Sequence, residues 1–293
     1  MADVHATLPD GRTVGLNAFG DPMADRLVVI CHPTPGSSAF DPDPLVTNRW
    51  GVHLIGLDRP GYGGSKPMPA GSPHSLSERS DDVADFIARD ERIADRISNA
   101  DMQHCGVIGW GTGAIVAAAL AVRHPDLVDR LALVSAPAPS KAEKFARRTF
   151  AIRDAHAALH IAEDDPAFGR HLGLDRRLDR MIDEAFAHGD AGIDGDRALL
   201  ANTSWVGGLA DLSAEVLVLV GADDPALDAE DQRWWRRHLP SKARFEIVDG
   251  SASLTVADAW EAVLAHVAPA HGHIPEKERD HGAPILPDIP PTA

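Results

Sequence analysis

The chain has 293 residues, and 28 Lys and Arg against 44 Asp and Glu give a net charge of −16. A charge this negative argues against nucleic acid and anionic membrane surfaces as partners, and 44% hydrophobic with 25% charged residues suits a soluble globular chain rather than a disordered one. The longest apolar run, Ala114 to Val122, is too short to span a bilayer. No basic-then-apolar leader opens the chain, and two cysteines build no disulfide framework, so the expected compartment is the cytoplasm.

In chain order, Val4–Leu8 and Thr13–Ala18 flank Asp10-Gly11, a turn dipeptide suited to a hairpin. Short apolar runs then alternate with helical patterns. Leu27–Cys31, His53–Leu57, Cys105–Trp110 and Leu131–Ser135 read as buried parallel strands. Leu76–Ile97 has its apolar residues at helical spacing, and Thr112–His124 is an Ala-rich helix stopped by Pro125. Val216–Gly221 and Arg244–Val248 are two further strands around a helix near Glu230–His238, and Thr255–Val267 closes the pattern as a helix. The alternation predicts an α/β fold with a mostly parallel, doubly wound sheet. Ser140 to Trp205 is helical and charged with no strand candidate, which predicts an inserted lid over 140–205 between core segments 1–139 and 206–268. Residues 269–293 form a Pro-rich tail with little periodicity, expected to be extended.

Four motifs carry chemistry. The first strand runs into His32-Pro33-Thr34-Pro35-Gly36-Ser37, and the next into Asp58-Arg59-Pro60-Gly61-Tyr62-Gly63-Gly64-Ser65. Gly109-Trp110-Gly111-Thr112-Gly113 occupies a strand-to-helix turn, and Gly221-Ala222-Asp223-Asp224-Pro225 follows a late strand. In this order they resemble the α/β-hydrolase family of esterases and lipases, over nearly all of the chain before the tail. The resemblance implies an oxyanion loop at the first motif, a nucleophile elbow at the third and a triad acid at Asp224.

At two catalytic positions the chain departs from that pattern. The elbow centre is Gly111, which has no side chain to form a covalent intermediate. Ser253 stands where the family places its histidine, and a hydroxyl cannot hold a proton near neutral pH as imidazole does. Between His238 and His266 there is no histidine; His266, His271 and His273 lie in or beyond the last helix. Asp224 is either the surviving triad acid or, with Asp223, a cap for the next helix. The oxyanion donors would be the backbone N–H groups of Thr34 and Thr112. Thr34, Ser37, Gly111, Thr112, Asp224 and Ser253 are expected around one pocket beyond the carboxyl ends of the strands, with Trp110 at its edge.

Other readings of the same residues are weaker. Gly109 to Ala114 also fits the dinucleotide pattern Gly-x-Gly-x-x-Ala, but it follows at least two parallel strands, and no acid ends the next one. Cys31 and Cys105 are expected at opposite ends of adjacent strands, ~16 Å apart, as core residues. His32 and Asp58 read as loop braces, and Trp205, Trp234, Trp235 and Trp260 as packing residues. His156, His160 and His171 read as solvated lid residues without a metal-ligand pattern. No cofactor or metal is implied. The expected function is that of a catalytically degenerate α/β-hydrolase-family protein binding a small apolar molecule or a protein partner. The alternatives are a lyase, cyclase or isomerase using the retained oxyanion donors, and a hydrolase with a relocated nucleophile or base.

Overall fold

The computed structural model describes residues 4–69, 71–72, 75–89, 104–146 and 155–269. Its centre is one eight-stranded sheet in the order β1-β2-β4-β3-β5-β6-β7-β8. The Asp10-Gly11 turn, with Gly11 at φ +83°, joins β1 (Val4–Thr7) to β2 (Thr13–Gly20) as the expected hairpin. β2 runs antiparallel to β4 (His53–Leu57). From there β3 (Leu27–Cys31), β5 (Cys105–Trp110), β6 (Val128–Val134), β7 (Glu215–Gly221) and β8 (Arg244–Val248) continue in parallel. The order of connection reverses between β3 and β5, and the crevice beyond their carboxyl ends is where such sheets bind ligands.

Every residue of β3, β4 and β5 is buried, because helices cover both faces. Alternation sends Val29, Cys31 and Val107 into one apolar layer and Val28, Ile30 and Ile108 into the other. The first layer is closed by α2 (Leu76–Arg89) and α3 (Gly113–Arg123), the second by α1 (Pro44–Trp50) and a C-terminal helix, Trp260–Val267. Of the long helix expected over Leu76–Ile97, the part after Arg89 lies outside the described residues. The expected Thr255–Val267 helix breaks at Ala259 into two pieces, Thr255–Asp258 and Trp260–Val267.

Between β6 and β7 the described residues carry helices only. These are α4 (Pro139–Ala146), α5 (Ala155–Ala158), α6 (Ala167–Arg170), α7 (Leu174–Ala185), α8 (Ala191–Leu200) and a 3₁₀ segment, Ser204–Asp211. After β7 comes α9 (Ala229–His238), whose N-terminus is closed by a capping box between Asp228 and Asp231. No described helix is long and apolar enough to cross a membrane, and no described cluster of His, Cys, Asp and Glu could hold a metal ion. The tail from residue 270 lies outside the described residues.

Candidate functional site

The turn after β5 is shaped by three glycines. A Cβ on Gly113 would meet the Cys31 carbonyl oxygen at 2.2 Å, and one on Gly109 would meet Ala114 Cα at 2.4 Å, so only glycine permits so close an approach of strand, helix and loop. Gly111 is different. It sits at φ +57°, and a Cβ there would touch only Pro33 Cβ, at 3.4 Å. There is room for a side chain at the elbow centre, and this chain has none. Thr34 and Thr112 flank the same space, and the Thr112 hydroxyl is buried without a hydrogen-bond partner.

Facing the elbow is a corner built from the ends of β6 and β7 and from the helical insertion. Asp224 accepts from Ala226 N–H at 2.9 Å, an Asx turn; the cap of α9 is Asp228. Burial raises its pKa, against the opposing pull of the Ser135 hydroxyl, the Ala226 amide, His160 and Lys141. The Ser135 hydroxyl lies alongside that carboxylate without completing a hydrogen bond. Ser253 is buried at the position the resemblance reserves for histidine, and its Oγ donates to the His160 carbonyl at 2.6 Å.

His160 therefore corrects the sequence reading. It lies on no solvated helix face but in the turn after α5, with φ +58°, on the wall of the same cavity. The other histidines stay apart from it. His156 bonds Asp179, and His171 bridges Asp43 and Asp258 at 3.3 and 3.1 Å. His266 is buried against the carbonyls of Leu131 and Glu215, with its pKa lowered by burial. His271 and His273 lie outside the described residues.

Beneath the loop of residues 32–37 is a second polar cluster that the sequence did not disclose. Asp196 of α8 receives Arg59 in a two-pronged ion pair at 2.9 and 2.6 Å, the Thr34 hydroxyl at 2.5 Å and the Tyr62 hydroxyl at 2.7 Å. Arg59 also donates to the carbonyls of His32 and Pro33. Burial would push the Asp196 carboxyl up, but the Arg59 charge and these donors outweigh it and hold it below the usual range. His32 accepts from the Arg59 amide at 3.2 Å and faces the Pro33 carbonyl at 2.9 Å; burial and Arg59 push its pKa down to about 3, so it braces the loop as a neutral ring. Asp58 braces it likewise through the amides of Ser38 and Gly64. Ser37, expected in the pocket, is absent from its wall; its hydroxyl is spent on the Met181 carbonyl of α7 at 3.0 Å. Cys31 and Cys105 are buried and free, their thiols pushed up to about 12 by burial.

The cavity between elbow and insertion has a volume of about 550 Å³, within the range of small-molecule sites. Thr34, Trp110, Gly111, Thr112, Asp224 and Ser253 all line it, so six of the seven residues singled out from sequence converge. Trp110 is held against Phe40 in a stack of 5.3 Å. Trp234, expected from the sequence as a packing residue, adds an aromatic wall. At one side Lys141 bridges Asp228 and Asp231 at 3.2 and 2.8 Å.

The model of the alpha/beta hydrolase family matches residues 28–282. The chain belongs to that family. Among curated members, RutD of Caulobacter segnis, provisionally named a carbamate hydrolase, is 25% identical over 252 residues, covering 82% of this chain and 89% of that protein. The pimeloyl-[acyl-carrier protein] methyl ester esterase of Aeromonas hydrophila is 29% identical over 92 residues, 31% of this chain and 30% of the esterase. Among solved structures, the enol-lactonase of Burkholderia xenovorans superposes with a TM-score of 0.65 at 18% identity, covering 89% of this chain and 98% of its own. This likeness concerns the hydrolase fold; the residues at the elbow and at the Ser253 position are a matter for this chain alone.

Proposed function

We propose that this hydrolase-family chain binds a small, largely apolar carbonyl compound in the cavity, under a helical lid spanning 140–205, and performs no serine-hydrolase chemistry. The observation that carries this reading is Gly111. It stands at the elbow centre facing a cavity with room for a side chain, and it offers no nucleophile. Losing one triad member leaves roughly 10³–10⁴-fold catalysis over water, whereas full enzymes reach at least about 10⁶-fold. Here the histidine position is also changed. A cavity of this size with two tryptophan walls favours a small molecule over a protein partner. The relatives' names, an ester, a carbamate and an enol-lactone hydrolase, share a carbonyl group in the compound named. That feature alone is carried over, with the amides of Thr34 and Thr112 as its donors. Two buried free thiols suit a reducing compartment such as the cytoplasm, and the acidic surface disfavours nucleic acid.

The test is a serine-reactive fluorophosphonate probe together with a small aryl ester titrated against tryptophan fluorescence. The wild-type chain should bind phenyl acetate saturably, return it intact and remain unlabelled, while Gly111→Ser combined with Ser253→His should gain label. Labelling of the wild type, or burst hydrolysis of the ester, would overturn the reading.

A further inference from the structure

The described residues include two non-glycine positions with φ between +20° and +160°, Ser135 at +49° and His160 at +58°. Such conformations cost about 1–3 kcal/mol and persist where the surroundings enforce them. Both residues line the cavity, as does Asp224. A hydrogen bond enforces one of them: Ser253 Oγ donates to the His160 carbonyl at 2.6 Å. The serine in the histidine's place thus anchors the backbone of another histidine, supplied from the insertion. Independently, the hydroxyls of Thr112 and Ser135 are buried in the cavity wall, 6% and 7% exposed, with no hydrogen-bond partner. Buried hydroxyls without partners are costly, and here they point to a polar atom of a bound molecule.

From this geometry we infer that His160 is the acid–base residue of the cavity and moves a proton on a bound carbonyl compound without a covalent intermediate. The inference rests on the cavity being a small-molecule site. The imidazole takes a proton from the carbon next to the carbonyl, and the C–H electron pair shifts to make an enolate. Its oxygen is held by the amides of Thr34 and Thr112. The pair then returns to carbon and the imidazolium gives the proton back, to the same carbon as exchange or to a conjugated one as isomerisation. Nothing is oxidised, and no group leaves. Asp224 shares the cavity wall with His160, so its carboxylate favours the imidazolium that forms midway. The other charged groups on that wall are Lys141, Lys144, Asp228, Glu230 and Asp231, with Lys141 bridged to Asp228 and Asp231.

Two measurements on the full chain test the assignment. The first follows the His160 imidazole by NMR against pH in wild type and Asp224→Asn. The titration midpoint should fall in the variant, since a favouring negative charge is gone; an unchanged midpoint overturns the pairing. The second follows α-proton exchange of acetophenone in D₂O, with its binding read separately by tryptophan fluorescence. Exchange should exceed that of buffer and drop about 10²-fold or more in His160→Asn, with binding retained. Asparagine tolerates positive φ, so this variant keeps the turn while removing the base. Binding without exchange, or exchange unaffected by His160→Asn, overturns this inference alone, whereas no binding overturns it together with the small-molecule reading.

Discussion

Asp196, in the buried cluster with Arg59, and Asp224, on the cavity wall, are both buried carboxylates, and they have opposite surroundings. Asp196 is saturated: it receives both prongs of Arg59 and the hydroxyls of Thr34 and Tyr62, and its pKa is held down. Asp224 receives one backbone amide at hydrogen-bonding geometry, the nearby Ser135 hydroxyl completes no bond, and burial drives its pKa up. A saturated cluster fixes the loop of residues 32–37 to α8, whereas an undersatisfied corner leaves bonding capacity for something else. The difference separates scaffold from site without reference to either residue's place in a motif.

The comparison breaks first, and most heavily, at Asp196. Asp196→Ala strands the Arg59 charge in the interior and should cost about 3–5 kcal/mol in urea unfolding. A loss below about 1 kcal/mol would mean that the cluster is not structural. Tyr62→Phe deletes one donor to the charged carboxylate and should cost about 1.5–3 kcal/mol. Asparagine at the two acids then sharpens the contrast through pH. Asp196 has a folded pKa below its unfolded value, so its stabilisation is present above about pH 4 and is lost as pH falls through the folded pKa. Asp224 has a folded pKa above its unfolded value, so stability is higher below the unfolded pKa and declines as pH rises through the folded one. At pH 7, Asp196→Asn should therefore be less stable than wild type, and Asp224→Asn equal to it or more stable. Both differences should close toward acid pH. Differences of the same sign would refute the contrast.

A smaller effect is expected at the elbow. Gly111→Ser places a side chain at φ +57° with only Pro33 Cβ nearby, so the strain is that of the backbone alone, about 1–2 kcal/mol. A larger loss in thermal or urea unfolding would show that the space facing Gly111 is filled.

The sheet was legible in the sequence because its strands are short apolar runs separated by turn signals and helical patterns. The elbow was legible as a glycine pattern at a strand-to-helix turn; Gly109 is demanded locally, by the backbone of Gly113 and Ala114, whereas Gly113 is demanded by the carbonyls of Cys31 and His32 on the neighbouring strand. The partners of Asp196 and the place of His160 were not. Arg59 and Asp196 lie 137 positions apart, and Ser253 and His160 lie 93 apart. Both pairings depend on how the helical segment folds back over the sheet, and its helices carry no pattern that sets the orientation. His160 sits beyond the last turn of a four-residue helix, where periodicity assigns no face at all. Ser37 failed for the same reason: its motif placed it at the loop, but α7 claimed its hydroxyl.

The smallest effect is the most discriminating. Ser135→Ala removes a hydroxyl from the corner as Tyr62→Phe removes one from the cluster, and both groups are buried. The Tyr62 hydroxyl donates to a carboxylate at 2.7 Å, whereas the Ser135 hydroxyl completes no hydrogen bond. Deleting a bonded donor costs the bond, while deleting an unbonded one relieves a desolvated group and costs almost nothing. Ser135→Ala should thus lie within about 0.5 kcal/mol of wild type, on either side. A cost matching that of Tyr62→Phe would mean that Ser135 and Asp224 are bonded in solution. The corner would then be a second structural cluster, and the bonding capacity attributed to the cavity would have to be sought at Thr112 alone.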